Sequence, residues 1–220
     1  MKIKNILLLF FIACFHFLQA QQQAPFWNEI LNFKKGDSID FPKPNQILFV
    51  GSSSFTSWTD VQDYFPHYPI INRGFGGSSL PDLIRYASEI ILPYHPKQIV
   101  IYCGENDFAI DGNLSPQTVA DRFFTLFSII RKKYKKIPVV YVSMKPSPSR
   151  QQLMPKFDAA NNLIKVFLKK NKKTAFIDVY HAMLNKDGAL RNDIFLKDNL
   201  HMNPAGYKIW QKLIQPFLKK

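Results

Sequence analysis

Cysteine is almost missing from this sequence, which has only Cys14 and Cys103. Cys14 falls in an N-terminal segment that reads as removable, so one thiol remains and an internal disulfide in the mature chain is excluded. Histidine and cysteine at metal-ligand spacing are lacking too, and no metal or other cofactor is expected. Beyond the first twenty residues no apolar run is long enough to span a bilayer, which argues against stable membrane insertion of the rest. Internal repeats and low-complexity tracts are missing. Acidic residues are scarce, 16 against 29 lysines and arginines, for a net charge of +13.

The first twenty residues differ from the rest. Lys2 and Lys4 precede an apolar run from Ile6 to Phe15, and Leu18-Gln19-Ala20 precedes Gln21. A basic start, a short apolar stretch and a small residue before a cut are the parts of a secretory signal peptide, here residues 1–20. The mature protein is then exported, periplasmic or extracellular; lipid anchoring through Cys14 is the alternative. Loss of Lys2 and Lys4 takes the net charge from +13 to +11. The remaining excess sits in separate runs, 131–136, 169–173 and 219–220, each at the end of a helical pattern. Cations there complement the helix dipole. A nucleic-acid surface would instead need one basic stripe with interleaved aromatics, so no nucleic-acid partner is expected.

Apolar residues make up 46% of the chain, enough for one sizeable core in 220 residues. Residues 21–46 read as an N-terminal arm with a short helix over Pro25–Phe33, and 47–220 as the single domain. Ile47-Leu48-Phe49-Val50 runs into Gly51-Ser52-Ser53-Ser54 without a polar interruption, as a strand buried on both faces does before a sharp turn. Four more strands are expected, at Pro69–Asn72, Ile99–Cys103, Ile137–Ser143 and Ala175–Val179. Helical spacing covers Leu80–Leu92, a segment opened by Ser115-Pro116, about Leu153 to Lys170, and a last helix opened by Pro204. Alternating strands and helices predict a mainly parallel sheet with helices on both faces, with chemistry at the carboxyl ends of the strands.

Ser53 stands just past the first strand as a candidate nucleophile. His201 sits in a loop entering the final helix, three residues after Asp198, so one tight turn can join carboxylate and imidazole. The alternative is an ordinary helix-entry turn with Asp198 as a cap. Gly77 and Asn106 follow the second and third strands and offer a backbone N–H and a side-chain amide at the same sheet edge. Donors of this kind stabilise the oxyanion of a tetrahedral intermediate.

Taken together, Leu48–Ser54, Asn72-Arg73-Gly74-Phe75-Gly76-Gly77, Gly104-Glu105-Asn106-Asp107 and Asp198-Asn199-Leu200-His201 resemble the four blocks of the SGNH hydrolase superfamily, or GDSL esterase/lipase family. The resemblance implies a flavodoxin-like three-layer α/β/α sandwich with a five-stranded parallel sheet. It also implies a triad of Ser53, Asp198 and His201, an oxyanion hole from the N–H groups of Ser53 and Gly77 with the Asn106 amide, and no cofactor. One departure is Ser52, where the family usually has aspartate. Within the superfamily the chain looks most like the acylhydrolases related to platelet-activating-factor acetylhydrolase. That implies an exported serine esterase for short acyl esters, acetyl first, on a small-molecule or glycan substrate. Two alternatives stay open: a lysophospholipase or broad carboxylesterase, and a non-catalytic surface- or glycan-binding protein. Phe55, Trp58, Phe75, Phe108 and Arg150 are candidate substrate contacts.

Overall fold

The computed structural model describes residues 24–220; the segment read as a signal peptide, with Cys14, lies outside the described residues. In chain order, α1 (Trp27–Ile39) leads to β1 (Ile47–Gly51), the short α2 (Ser53–Thr56) and α3 (Val61–Tyr64), then β2 (Ile70–Gly74). Next come α4 (Leu80–Arg85), α5 (Ala87–Ile90), β3 (Gln98–Tyr102), α6 (Glu105–Ile110), α7 (Pro116–Lys133) and β4 (Val139–Val142). A 3-10 turn at Pro148–Leu153 precedes α8 (Met154–Lys169), β5 (Thr174–Ile177), α9 (Val179–Ala182) and α10 (Pro204–Ile214).

The five strands form one parallel sheet in the order β2-β1-β3-β4-β5. Side chains alternate across the pleat. Leu48, Val50, Ile99, Ile101, Val139 and Tyr141 therefore join one core with Ile30, Leu83, Phe123 and Ile164 from α1, α4, α7 and α8. Ile47, Phe49, Val100, Tyr102, Val140 and Val142 join the other with Phe55, Val61, Trp210 and Ile214 from α2, α3 and α10. Two cores on one sheet make the three-layer α/β/α sandwich, as expected. Since both faces are covered, the inner strands read as uninterrupted apolar runs.

Several elements depart from the sequence reading. The segment 80–92 is two short helices broken at Tyr86, whose φ of −100° and ψ of 14° leave helical space. Helix α1 is longer than expected and runs straight through Lys35-Gly36-Asp37. Its far end is held by a contact no local pattern reveals. The Asp37 carboxylate receives Arg73 and the Tyr94 hydroxyl, while Arg73 Nε donates to the same hydroxyl at 2.8 Å. Arg73 also stacks on the rings of Phe33 and Tyr94. Burial pushes the Tyr94 phenol up to about 12, with Arg73 pulling down and Asp37 pushing up. This cluster docks α1 onto the sheet beside β2.

The basic run at the end of α7 also has a structural use. Arg131 Nη1 donates to the carbonyl of Ile137 at 2.7 Å, and Nη2 to those of Lys172 and Lys173 at 3.2 Å each. It ties the α7 end to the chain entering β4 and β5. Among the described residues no helix is long and apolar enough to cross a membrane.

Candidate functional site

Gly51 ends β1 between Gly74 of β2 and Tyr102 of β3, and its carbonyl accepts the N–H of Phe75 at 3.0 Å. The chain then turns sharply. Ser52 caps α2, its N–H reaching the Tyr102 carbonyl at 3.1 Å, and Ser53 is the first helical residue, half-buried. The turn lies tightly over β2: a Cβ at Gly74 would come within 2.8 Å of Phe55 Cβ and Thr56 N. Only glycine allows that approach.

Asn106 opens α6 after β3, and its amide is fully engaged. Nδ2 donates to Ser52 Oγ at 2.7 Å and to the Ser78 carbonyl at 2.9 Å, and Oδ1 accepts from Arg150 Nη2 at 2.7 Å. Ser52, the departure from the family pattern, thus supplies an oxygen that receives this amide. Gly77, with φ of +81°, adjoins Ser78 and is exposed at the same edge.

Asp107 does not face the cleft. Its side chain is fully buried, accepting the Leu80 N–H at 2.9 Å and Arg122 Nη1 at 2.7 Å. Burial pushes its carboxyl up, against the pull of the Leu80 N–H and Arg122. It ties the start of α4, just past the glycine loop, to α6 and so sets the spacing between Gly77 and Asn106.

Asp198 and His201 meet as the spacing predicts, Oδ2 to Nδ1 at 2.6 Å. The turn is closed by Asp198 Oδ1, which accepts the N–H groups of Leu200 and His201 at 2.9 Å each, with Asn199 in the left-handed region. Burial acts to raise the Asp198 carboxyl, but the His201 ring and these two N–H donors outweigh it and hold it at about 2. Asp198 is therefore a carboxylate at neutral pH. Leu200, beside His201, lines one small cleft with Ser52, Ser53, Ser54, Asn106 and Arg150.

A second pair has the same spacing and was not singled out in sequence: Asp178 Oδ2 meets His181 Nδ1 at 2.8 Å. It sits at the start of α9, where the N–H groups of Val179 and Tyr180 both donate to Ser143 Oγ at 3.0 Å. No residue of this turn lines the cleft of Ser53, whereas Leu200 of the Asp198–His201 turn does.

The aromatic candidates are corrected. Phe55, Phe75 and Phe108 are at most 1% exposed, and Trp58 is fully buried. Phe55 packs on Phe49 and Tyr102, Phe75 on Phe26 and Tyr86, and Phe108 on Phe157. They are core residues: the short helices after β1 and β3 fold Phe55 and Phe108 back onto the sheet, and the loop residues Trp58 and Phe75 pack into the same two cores. Of the candidate contacts only Arg150 reaches the cleft. Glu105, unnoticed in sequence, lines it as well. Among the described residues no group of three or more histidine, cysteine, aspartate or glutamate side chains could hold a metal ion.

Comparison with known proteins agrees with this geometry. Residues 36–209 match the GDSL-like lipase/acylhydrolase family. The rat platelet-activating factor acetylhydrolase IB subunit alpha2 is 25% identical over 178 residues, covering 75% of this chain and 72% of that protein. Among solved structures, a GDSL-like lipase from Bacteroides thetaiotaomicron superposes with a TM-score of 0.69 at 23% identity, covering 85% of this chain and 97% of the other. An acetyl xylan esterase from Geobacillus stearothermophilus superposes with a TM-score of 0.61 at 16% identity, covering 80% and 95%.

Proposed function

Because the chain belongs to the GDSL-like lipase/acylhydrolase family and is a carboxylic ester hydrolase, we propose that it works as an exported serine esterase removing short acyl groups, acetyl first, from carbohydrate esters. The observation that carries this reading is the cleft that Ser53 and Asn106 line together with Leu200, the neighbour of His201 in the Asp198–His201 turn. In the proposed cycle His201 takes the Ser53 hydroxyl proton as Oγ attacks the ester carbonyl. Asp198 holds the imidazole by Nδ1 and stabilises the imidazolium. The N–H groups of Ser53 and Gly77 receive the oxyanion, joined by the Asn106 N–H that in the free enzyme rests on Ser52 Oγ and is exchanged to the substrate. His201 then protonates the departing alcohol, and water, activated by the same histidine, releases the acid and frees Ser53.

Cleft chemistry supports the short-acyl preference. Six of its ten lining residues are Ser52, Ser53, Ser54, Glu105, Asn106 and Arg150, while the nearby aromatics are spent in the core. A polar lining suits a hydroxyl-rich alcohol and gives a long acyl chain little apolar surface to cover. The acetyl xylan esterase with the same fold keeps carbohydrate esters first among the candidates. Export rests on the basic and apolar pattern of residues 1–20.

The test is a series of p-nitrophenyl acetate, butyrate and octanoate, with acetate release from acetylated xylan. The expected kcat/KM falls about tenfold or more from acetate to octanoate, with measurable acetate from xylan. Preference for octanoate would shift the assignment to lipid esters. Protein recovered from outside the cytoplasm should begin at Gln21; an unprocessed N-terminus would contradict the proposed cleavage.

A further inference from the structure

Asn106 is not positioned by its own helix alone. Its carbonyl oxygen is held by a guanidinium that arrives from the far side of the sheet, on the segment between β4 and α8. That segment is fixed at successive points. Met144 is clasped both ways by Asn161, its N–H donating to Oδ1 and its carbonyl accepting from Nδ2, each at 2.9 Å. The Lys145 N–H and ammonium both reach Glu105, the ammonium at 3.1 Å from Oε2. The Ser149 N–H donates to the Asn199 carbonyl at 3.0 Å, inside the Asp198–His201 turn. Arg150 then spans Glu105 Oε2 at 3.3 Å and Asn106 Oδ1 at 2.7 Å.

Glu105 and Lys145 are almost fully buried, with side-chain exposures of 7% and 2%, and Arg150 is 16% exposed. A carboxylate and an ammonium are costly to bury and persist only when paired and hydrogen-bonded. Here Glu105 takes one cation from each side. Lys145 packs beneath it, and Arg150 extends over it into the cleft.

We propose that Arg150 is a positioning residue for ester hydrolysis, acting through Asn106; the inference rests on the serine-esterase reading above. An amide can present either its oxygen or its NH2 group to a given point. A charged donor on Oδ1, together with the Ser78 carbonyl on Nδ2, settles that choice and leaves the other N–H of Nδ2 on Ser52 Oγ, in the cleft that Ser53 lines. Hydrogen-bonded groups polarise one another, so a guanidinium on the oxygen also makes the N–H groups better donors to a developing oxyanion. Glu105 and Lys145 hold the guanidinium in place. Arg150 thus prepares the oxyanion site without itself touching the reacting atoms. The Ser149 contact extends the same brace to the turn that carries His201.

The test is a double-mutant cycle on p-nitrophenyl acetate, a neutral ester. Arg150→Ala is expected to lower kcat by about 10- to 100-fold with KM within about twofold, since small misplacements of a catalytic group cost rate. In an Asn106→Ala background the same change should cost less than about threefold, because its target is already gone. Arg150→Lys keeps a cation beside Glu105 but cannot hold both acceptors with one planar fork. It should fold with an unchanged melting temperature and still lose rate, which covers the case in which Arg150→Ala fails to fold. A full, additive loss in the Asn106→Ala background, or an effect on KM alone, would overturn the proposal and make Arg150 a direct substrate contact. Wild-type kcat in both Arg150 variants, with Ser53→Ala inactive and Asn106→Ala slowed but measurable, would overturn it while leaving the esterase reading intact. Full activity of Ser53→Ala would instead remove the reading beneath it.

Discussion

Replacing Ser53 by alanine is expected to lower kcat for p-nitrophenyl acetate by a factor of about 10⁴ or more, leaving only the residual acceleration that binding and the oxyanion donors provide. The size follows from the chemistry. Without Oγ there is no acyl-enzyme, and His201 has no serine proton to take. Three consecutive serines make the comparison sharp. Ser54 is only 2% exposed, and its carbonyl accepts the Tyr207 hydroxyl at 3.0 Å, a contact that alanine keeps. Ser52 only receives one N–H of Asn106. Ser52→Ala and Ser54→Ala should therefore stay within about tenfold of wild type, the scale of one neutral hydrogen bond. Steady-state rates of the three variants, each checked for a normal melting transition, decide the matter. Loss of turnover in Ser52→Ala or Ser54→Ala with Ser53→Ala unaffected would move the nucleophile.

The largest stability effect is expected one strand-end residue earlier. Gly51→Ala would set a Cβ 1.9 Å from the Tyr102 carbonyl oxygen and 2.8 Å from its carbon, both backbone atoms of the neighbouring strand. The local φ of +156° adds strain. Relief would require separating β1 from β3 where the Ser52 N–H bonds Tyr102, at a residue that the Phe75 N–H also ties to the end of β2. Overlap of this kind belongs with the severe core substitutions, at about 4 kcal/mol or more. For a domain of this size the melting temperature should fall by about 8–16 °C, or the protein should fail to accumulate. Gly36→Ala is the matched control. Gly36 lies within α1 with no atom near the added Cβ, and the change should be neutral or stabilising by about 0.5–1 kcal/mol. Thermal melts of both variants measure the difference, and a Gly51→Ala protein melting like wild type would contradict the tight strand-end packing.

Much of the sheet was legible because a strand covered on both faces must be apolar throughout, and glycine or serine marks where it leaves the core. Ile47–Val50 and Ile99–Tyr102 are plain on that ground, and the glycine-bearing turns after β1, β2 and β3 bring the serine, glycine and asparagine to one edge. The Asp198–His201 contact was legible because three residues make one turn. Long-range partners were not. Gly36-Asp37 looks like a helix stop until Arg73 and Tyr94 reach Asp37 from 36 and 57 residues away. Phe55, Phe75 and Phe108 sit in sequence beside the site residues, and only their packing partners show that they face the core. Glu105 occupies the variable place in its block, and its importance depends on Lys145 and Arg150, 40 and 45 residues later. The Asp178–His181 pair shows the converse: spacing identical to Asp198–His201 finds a contact of the same kind away from the serine.

Serine chemistry at Ser53 is tested most directly by covalent labelling. The protein is treated with a fluorophosphonate ester, and the adduct is located by peptide mass spectrometry across Gly51–Phe55. One adduct per chain on Ser53, lost in Ser53→Ala and strongly slowed in His201→Ala, is the expected result. An adduct on Ser52 or Ser54, or an unlabelled protein that still hydrolyses p-nitrophenyl acetate, would contradict it.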